Sequence, residues 1–97
     1  MEQGKTILNS NMLESKIQKK IINRLQEEGW LCIKLIKTTL NGIPDLICHR
    51  KGETMYIEVK RPLGKLSELQ KIRIEQLRNK GIKTLIWEDY DTEYKRI

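Results

Sequence analysis

Apolar residues recur at helical spacing in the first third of the chain. Four of them stand at every fourth position, with mostly polar and basic residues between: Leu13, Ile17, Ile21 and Leu25. This spacing puts the four side chains on one face of a helix and predicts an amphipathic helix, which Gly29 would end. The residues before Leu13 show no sustained periodicity. We therefore predict a flexible N-terminal arm over residues 1–12, followed by a single domain over residues 13–97.

Four shorter apolar runs follow the first helix. They are rich in isoleucine, leucine and valine and too short for helices: residues 31–36, 46–48, 55–59 and 82–87. Runs of this composition and length predict β-strands. A short turn at Lys51-Gly52 separates the second run from the third, so we expect these two strands to form a hairpin.

A second helix is predicted between the third and fourth strands. Ser67 precedes Gln70 by three residues, which is the spacing of a capping box, and an apolar stripe follows. The predicted order of elements is therefore αβββαβ. Because a helical crossover precedes the last strand, that strand should run parallel to a neighbour. We predict an α/β domain with a small mixed sheet flanked by helices, ending in a short charged extension over residues 88–97.

Length and composition limit the classes of function. The chain has 97 residues, of which 19 are Lys or Arg and 13 are Asp or Glu, giving a formal charge of +6. No run approaches the roughly 18 apolar residues that span a bilayer, and no secretory leader is recognisable, so we expect a cytoplasmic protein with no membrane partner. Its two cysteines suit neither a disulfide framework nor a four-ligand zinc site. The positive charge favours a polyanionic partner.

Three carboxylates break the local pattern of the predicted elements. Strand alternation puts Glu58 and Lys60 on one face of the third strand, and Asp45 begins the strand that should pair with it. Glu14 falls inside the apolar arc of the first helix, where an acid is costly unless it meets a cation. Carboxylates that converge in this way favour a hard divalent cation such as Mg²⁺.

Structural explanations compete with a metal site at each of these positions. Asp45 could cap a turn, and Glu58 and Lys60 could form a solvated pair on an open sheet face. An acid such as Glu14 is favoured near a helix N-terminus by the helix dipole, whichever way it points. Gln70 lies within the apolar arc of the second helix, yet the capping box already accounts for it. From the residues alone, these alternatives stay open.

Taken together, the motifs resemble the VRR-NUC (virus-type replication-repair nuclease) domain of the PD-(D/E)xK nuclease superfamily. The resemblance rests on Pro44-Asp45, Glu58-Val59-Lys60, residues 64–70 and Glu14 in the first helix. These pieces occur in the family's order and on the matching predicted elements, across residues 13–87. The resemblance implies a restriction-endonuclease-like fold and metal-dependent hydrolysis of DNA phosphodiester bonds.

The resemblance also implies a role for each matched residue. The implied ligands of a Mg²⁺ or Mn²⁺ ion are Asp45, Glu58, the carbonyl of Val59 and, through water or a second ion, Glu14. Lys60 would contact the attacking water and the scissile phosphate. Gln70 would help to orient the reacting group.

Basic residues cluster in sequence around the motif strands and loops, where we expect them to contact DNA phosphates: Lys34, Lys37, Lys51, Arg61 and Lys65. Stand-alone members of the family resemble four-way-junction resolvases, which use two sites related by a twofold axis. The resemblance therefore implies a homodimer that resolves Holliday junctions during DNA repair in a bacterial or phage-infected cell. The alternatives are a monomeric nickase or flap-type nuclease, and a catalytically inactive DNA-binding module.

The remaining candidate residues have simpler explanations. His49 is the only histidine and should share a face with Asp45, but it stands beside basic turn residues and is expected to be solvated. Cys32 and Cys48 are expected to pack as small apolar strand residues. The sequence contains no glycine-rich phosphate loop, so we expect no nucleotide cofactor.

Overall fold

The computed structural model describes residues 2–61, 64–88 and 95–96, with side chains described over 14–61 and 64–88. Its elements, in chain order, are α1 (Glu2–Glu27), β1 (Leu31–Lys34), β2 (Leu46–Arg50), β3 (Glu53–Val59), α2 (Glu68–Asn79), β4 (Lys83–Trp87) and β5 (Lys95–Arg96). The predicted αβββαβ order is confirmed, and a two-residue strand is added at its end. None of the described helices is both long and apolar enough to cross a membrane.

The described strands form one mixed sheet in the order β1-β2-β3-β4-β5. The first three strands are antiparallel, whereas β4 runs parallel to β3 because α2 carries the chain back across the sheet. The predicted hairpin forms, with Arg50 opposite Glu53. Lys51 and Gly52 both have positive φ, at 46° and 82°, which is the geometry of a two-residue type I′ turn.

The main hydrophobic core lies between α1 and one face of the sheet. It contains three described apolar residues of α1 and inward-facing residues of β2, β3 and β4: Ile17, Ile21, Leu25, Leu46, Cys48, Met55, Ile57, Val59, Leu85 and Trp87. Alternation along β3 sends Met55, Ile57 and Val59 to this core and Glu58 to the opposite face. On that opposite face α2 packs against β4, and both Ile74 and Ile86 are buried.

Both ends of the chain depart from the prediction. The first helix begins at Glu2, so the predicted arm is helical from residue 2 onwards, which corrects the prediction of an irregular segment. Once a helix has nucleated, each further residue adds one hydrogen bond, so a helix can extend beyond its apolar stripe. The predicted charged extension contains β5, in which Lys95 and Arg96 pair with Ile86 and Leu85. The unpaired backbone groups of an edge strand favour such an addition.

Candidate active site

Two acidic residues meet at the end of the sheet where β2 begins and β3 ends. The register of β2 with β3 ends at the pair Leu46 and Ile57, and Asp45 and Glu58 each stand one residue beyond that pair on neighbouring segments. Two hydrogen bonds hold Asp45: its carbonyl accepts from the Leu35 N–H at 2.8 Å, and its Oδ2 accepts from the Val59 N–H at 2.9 Å.

Glu58 is buried, with 1% of its surface exposed. Its Oε2 accepts a hydrogen bond from Gln70 Nε2 at 3.1 Å and lies 3.7 Å from Lys60 Nζ. Its Oε1 is also buried and has no hydrogen-bond partner among the described atoms. A buried carboxylate oxygen without a partner is costly, so this atom is a natural ligand for a cation or a metal-bound water.

Burial shifts the protonation of both acids in the same direction. Desolvation, reinforced by the neighbouring Asp45, raises the pKa of Glu58 to about 8, while the Lys60 ammonium opposes the rise. Desolvation also raises the pKa of Asp45, against the lowering effect of its hydrogen bond from Val59. Two desolvated acids side by side are unfavourable when both are ionised, and a bound cation would stabilise the charged form of each.

These residues fit a divalent cation that keeps part of its hydration shell. Within residues 14–61 and 64–88, no group of three or more His, Cys, Asp or Glu side chains could hold a metal ion. Mg²⁺ needs no such cage, because it retains several waters and is commonly held by one or two carboxylates. The Asp45–Glu58 pair, with the unpartnered Oε1 of Glu58, therefore fits a partly hydrated divalent cation and does not supply the three or four protein ligands that zinc takes.

Glu14 is half-buried on α1 and interacts electrostatically with the pair. Its negative charge contributes to the raised pKa of both Asp45 and Glu58. It does not complete a three-acid ligand group with them in the described part of the chain. Its predicted action through water or a second ion stays a prediction.

The N-terminus of α2 positions Gln70. The predicted capping box is present: Ser67 Oγ accepts from the Gln70 N–H at 3.1 Å, and Gln70 Oε1 accepts from the Ser67 N–H at 2.9 Å. Because the cap occupies Oε1, the amide NH₂ is left to donate to Glu58. The sequence favoured a capping role and a role in the site equally and allowed both, and this one side chain makes both contacts.

Lys60 stands just beyond the end of β3. Its backbone N–H donates to the Trp87 carbonyl at 2.9 Å, which continues the contact between β3 and β4 past the last residue of β3. Its side chain is only 14% exposed, so its ammonium group is held near the carboxylates rather than free in solvent. Partial desolvation of this kind strengthens its electrostatic interactions.

Four of the five predicted DNA contacts lie on segments that adjoin this site. Lys34 is close enough to lower the pKa of Asp45. Lys37 lies in the loop that follows β1, Arg61 directly follows Lys60, and Lys65 precedes α2. Contact of these residues with DNA stays a prediction.

Lys51 lies apart from the other four basic residues, and its contact with DNA also stays a prediction. It occupies the hairpin turn, at the far end of β2 and β3 from Asp45. At about 3.3 Å per residue, the two residues are separated by roughly 17–20 Å. A turn and the open ends of its hairpin must lie at opposite ends of the strands, so proximity in sequence to the motif did not mean proximity in space.

The histidine and the cysteines lie away from the carboxylates. His49 is not simply solvated as expected: it is half-buried and its Nδ1 is hydrogen-bonded to the Thr54 hydroxyl across the hairpin at 2.9 Å. Cys32 lies opposite Cys48, and both are free thiols packed in or against the core. Burial raises the pKa of both thiols, which agrees with the expected apolar role.

A cavity that no motif in the sequence predicts lies beside Asp45. The connection between β1 and β2 encloses about 300 Å³, with Asp45 in its wall. Ile36 and Leu40, in the same wall, are 87% and 50% exposed. Large apolar side chains in an otherwise polar loop next to a proposed catalytic residue were the available signal.

Comparison with known proteins identifies the family. A family model described as the VRR-NUC domain matches residues 5–87, which include both carboxylates, Lys60 and Gln70. The chain belongs to the VRR-NUC family. It is therefore a nuclease domain, which implies DNA as its partner, and the resemblance seen in its motifs is confirmed.

Solved structures support this assignment. A structure described as a VRR_NUC domain is similar to this chain with a TM-score of 0.73 and 26% identity, covering 80% of this chain and 86% of the other. The Holliday junction resolvase Hjc of Archaeoglobus fulgidus gives a TM-score of 0.65 at 14% identity, covering 86% of this chain and 74% of Hjc. The likeness to Hjc confirms the predicted restriction-endonuclease-like fold. No curated protein sequence matches the chain.

Proposed function

We propose that this VRR-NUC domain is a structure-directed DNA endonuclease that hydrolyses phosphodiester bonds with the help of Mg²⁺ or Mn²⁺. The observation that carries the proposal is the Asp45–Glu58 pair. The two carboxylates are desolvated and close enough to raise each other's energy when charged, and one buried oxygen of Glu58 lacks a hydrogen-bond partner among the described atoms. Lys60 Nζ lies 3.7 Å from the same side chain.

These contacts suggest a separate role for each residue of the site. Asp45 and Glu58 hold the cation, together with the carbonyl of Val59. When bound, the cation supplies an acidified water and neutralises charge that develops on the phosphate. Lys60 adds a fixed positive charge beside the same phosphate, in a partly desolvated position where such a charge has its largest effect.

Gln70 and Glu14 have supporting roles in this proposal. Gln70 fixes the orientation of Glu58 through its amide NH₂ and is itself held by the helix cap. Glu14 adds negative charge near both carboxylates, which favours binding of a cation to the pair. We assign Glu14 to contact the cation through water or to hold a second ion.

DNA would approach over the basic segments around the pair. We propose that Lys34, Lys37, Arg61 and Lys65 contact backbone phosphates, which position the duplex without reading its sequence. Lys51, at the other end of the hairpin, would contact DNA only outside the cleavage site.

We propose a four-way junction as the preferred substrate and a homodimer as the active form. One such domain has one pair of metal-binding carboxylates, so symmetric cleavage of two strands needs two copies related by a twofold axis. The shared fold with a Holliday junction resolvase supports a branched substrate. We further propose that the protein acts in the cytoplasm, in repair of DNA in a bacterial or phage-infected cell.

Cleavage of a panel of labelled DNAs tests the proposal. The panel contains linear duplex, flap, splayed-arm and four-way-junction DNA, each incubated with Mg²⁺, Mn²⁺ or EDTA. We expect paired, symmetric cuts in the junction, dependence on the added metal and no cleavage in EDTA. A monomeric nickase would instead cut one strand. A DNA-binding module without activity would bind the DNAs of the panel in EDTA and would cut none of them with either metal.

Carboxylate variants connect the result to the site. Asp45→Asn should abolish cleavage, whereas Glu75→Gln, which alters an exposed acid on α2, should leave it unchanged. Cleavage by Asp45→Asn at the wild-type rate would contradict the assignment of the site.

A further inference from the structure

The loop between β1 and β2 forms a cavity that adjoins the carboxylate pair. The cavity has a volume of about 300 Å³ and is lined by Ile36, Lys37, Thr38, Leu40, Asn41 and Asp45, among others. It therefore shares one wall residue, Asp45, with the proposed metal site. Whatever enters the cavity lies next to the bond that the metal site would cut.

Contacts at several points hold the loop in place. At its base, the Leu35 N–H donates to the Asp45 carbonyl at 2.8 Å. Within it, Thr38 Oγ1 donates to the Leu40 carbonyl at 2.7 Å. From α2, Arg73 Nε donates to the Asn41 carbonyl at 2.8 Å. The cavity is thus a preformed feature rather than a gap left by a loosely attached loop.

Gly42 completes the contact between this loop and α2. It has a φ of +83°, and a Cβ atom placed on it would lie 2.8 Å from Leu69 Cγ. Glycine is therefore required both by the backbone conformation and by the close approach of α2.

The held loop presents apolar surface to solvent beside positive charge. Ile36 is 87% exposed and Leu40 is 50% exposed. Lys37, next to Ile36 in sequence, is exposed as well, and Lys34 lies close enough to Asp45 to affect its pKa. DNA-binding proteins use this combination at distorted sites. They insert apolar side chains between bases and place cationic side chains on the adjoining phosphates.

We propose that this cavity receives one unpaired nucleotide of the DNA substrate, with Ile36 against the face of the base and Lys37 at its phosphate. The inference rests on the proposed nuclease function and names the feature of the substrate that is recognised. A volume of about 300 Å³ is at the lower end for ligand sites and suits one nucleotide rather than a base pair. Thr38 and Asn41 supply polar groups for the edge of the base.

An unpaired nucleotide would give the protein its preference for DNA structure. Taking a base out of a continuous duplex costs a few kcal/mol of stacking and pairing energy, and the cost is lowest where the base is already unpaired. Stacking is interrupted at a branch point, so a base there leaves its helix at a lower cost than a base inside a continuous duplex. A second copy of this chain is a poorer occupant, because the cavity opens beside Asp45, where DNA must lie to be cut.

The test compares Ile36→Ser and Leu40→Ser with Leu31→Ser. Leu31 is 62% exposed and lies at the other end of β1, outside the cavity, so it is a matched change of apolar surface. Each protein is titrated in EDTA onto a linear duplex and onto a four-way junction that carries 2-aminopurine at the branch. The fluorescence of 2-aminopurine rises when the base leaves the stack.

We expect the wild type and Leu31→Ser to bind the junction with a rise in fluorescence. Ile36→Ser should bind linear duplex as before, should lose about tenfold in affinity for the junction and should give a much smaller rise, with Leu40→Ser intermediate. Thermal unfolding of all variants confirms that these exposed positions leave the fold intact. Equal behaviour of Ile36→Ser and Leu31→Ser, or a junction bound without a rise in fluorescence, would overturn the proposal.

The same samples, with Mg²⁺ or Mn²⁺ added, separate this inference from the nuclease function. A wild type that shows the fluorescence rise but cuts no DNA would contradict the nuclease proposal and support the cavity. A wild type that cuts junctions without the rise would contradict the cavity and leave the nuclease proposal standing. A wild type that binds no DNA at all would contradict both.

Discussion

At the scale of single residues, the folded protein opposes the ionisation of Glu58. Its pKa rises from an ordinary value of 4.5 to about 8, chiefly because the side chain is buried. Between these values the folded protein keeps a proton that the unfolded chain has lost. The free energy of unfolding of the metal-free protein should therefore fall as pH rises from 4.5 towards 8.

Glu58→Gln should remove this pH dependence. We expect the variant to be more stable than the wild type near pH 8 by a few kcal/mol, since one pKa unit corresponds to about 1.4 kcal/mol, and similar to it near pH 4.5. Urea unfolding in EDTA across this range measures the effect, with Glu75→Gln as the exposed control. Adding Mg²⁺ should stabilise the wild type most at the alkaline end. If the free energy of unfolding of the wild type did not change between pH 4.5 and pH 8, the burial of the Glu58 carboxyl with a raised pKa would be contradicted.

Lys60 should matter for chemistry far more than for binding. Lys60→Ala removes a charge that lies 3.7 Å from Glu58 and is proposed to act on the scissile phosphate. We expect single-turnover cleavage to fall by about 10²–10³ or more, with affinity for DNA in EDTA mostly unchanged. A matched loss in Lys80→Ala, which alters an exposed lysine at the end of α2, would show that the effect is only one of net charge.

At the scale of elements, the start of α2 links helix stability to the site. The Ser67 side chain caps the helix, and Gln70, three residues later, both caps it and holds Glu58. The cap can be predicted from sequence because Ser67 and Gln70 lie within one turn of each other, whereas the contact with Glu58 joins two elements. The hairpin turn at Lys51-Gly52 could be predicted for the same reason.

Ser67→Ala separates the two effects of the cap. We expect it to lower the free energy of unfolding by about 1 kcal/mol, because an N-cap is lost. Cleavage should fall only modestly, since the Gln70 amide can still reach Glu58. Gln70→Ala should reduce cleavage more than Ser67→Ala does, because it removes the hydrogen bond to Glu58 as well as part of the cap. Equal rates for the two variants would contradict a positioning role for Gln70.

Elements whose partners are distant in sequence were the ones that the pattern could not predict. The N-terminal extent of α1 carries no apolar stripe, so nothing in the spacing of residues 2–12 distinguishes a helix from an arm. The cavity beside Asp45 depends on Arg73 of α2 and on the fit of Leu69 against Gly42, which only tertiary packing creates. That Asp45 and Glu58 lie near each other was predictable, because a hairpin fixes its own register and both residues adjoin its open end.

At the scale of the whole molecule, the positive charge and the acidic pair have opposite effects on the binding of DNA. The net charge of +6 attracts DNA, whereas the acids at the end of the hairpin would repel phosphate unless a cation lay between them. Affinity for DNA should therefore depend strongly on salt and only weakly on sequence.

The salt dependence of binding measures how many basic residues contact phosphate. With about four contacts, affinity for junction DNA should fall about a hundredfold between about 50 and 200 mM salt. Lys37→Ala should reduce the slope of log K against log salt by about 1, and Lys80→Ala should leave it unchanged. An affinity insensitive to salt would contradict phosphate contacts by these residues.

The hydrogen bond from the Val59 amide to Asp45 makes the backbone itself a reporter of the site. Because the acceptor is a carboxylate oxygen, the proton chemical shift of that amide should follow the charge and coordination of Asp45. Titration of isotope-labelled protein with Mg²⁺ should therefore move the Val59 resonance, while the Thr54 resonance, at the far end of β3, should stay in place. A binding isotherm for the ion could thus be obtained by NMR from one backbone resonance, before any nucleic acid is added.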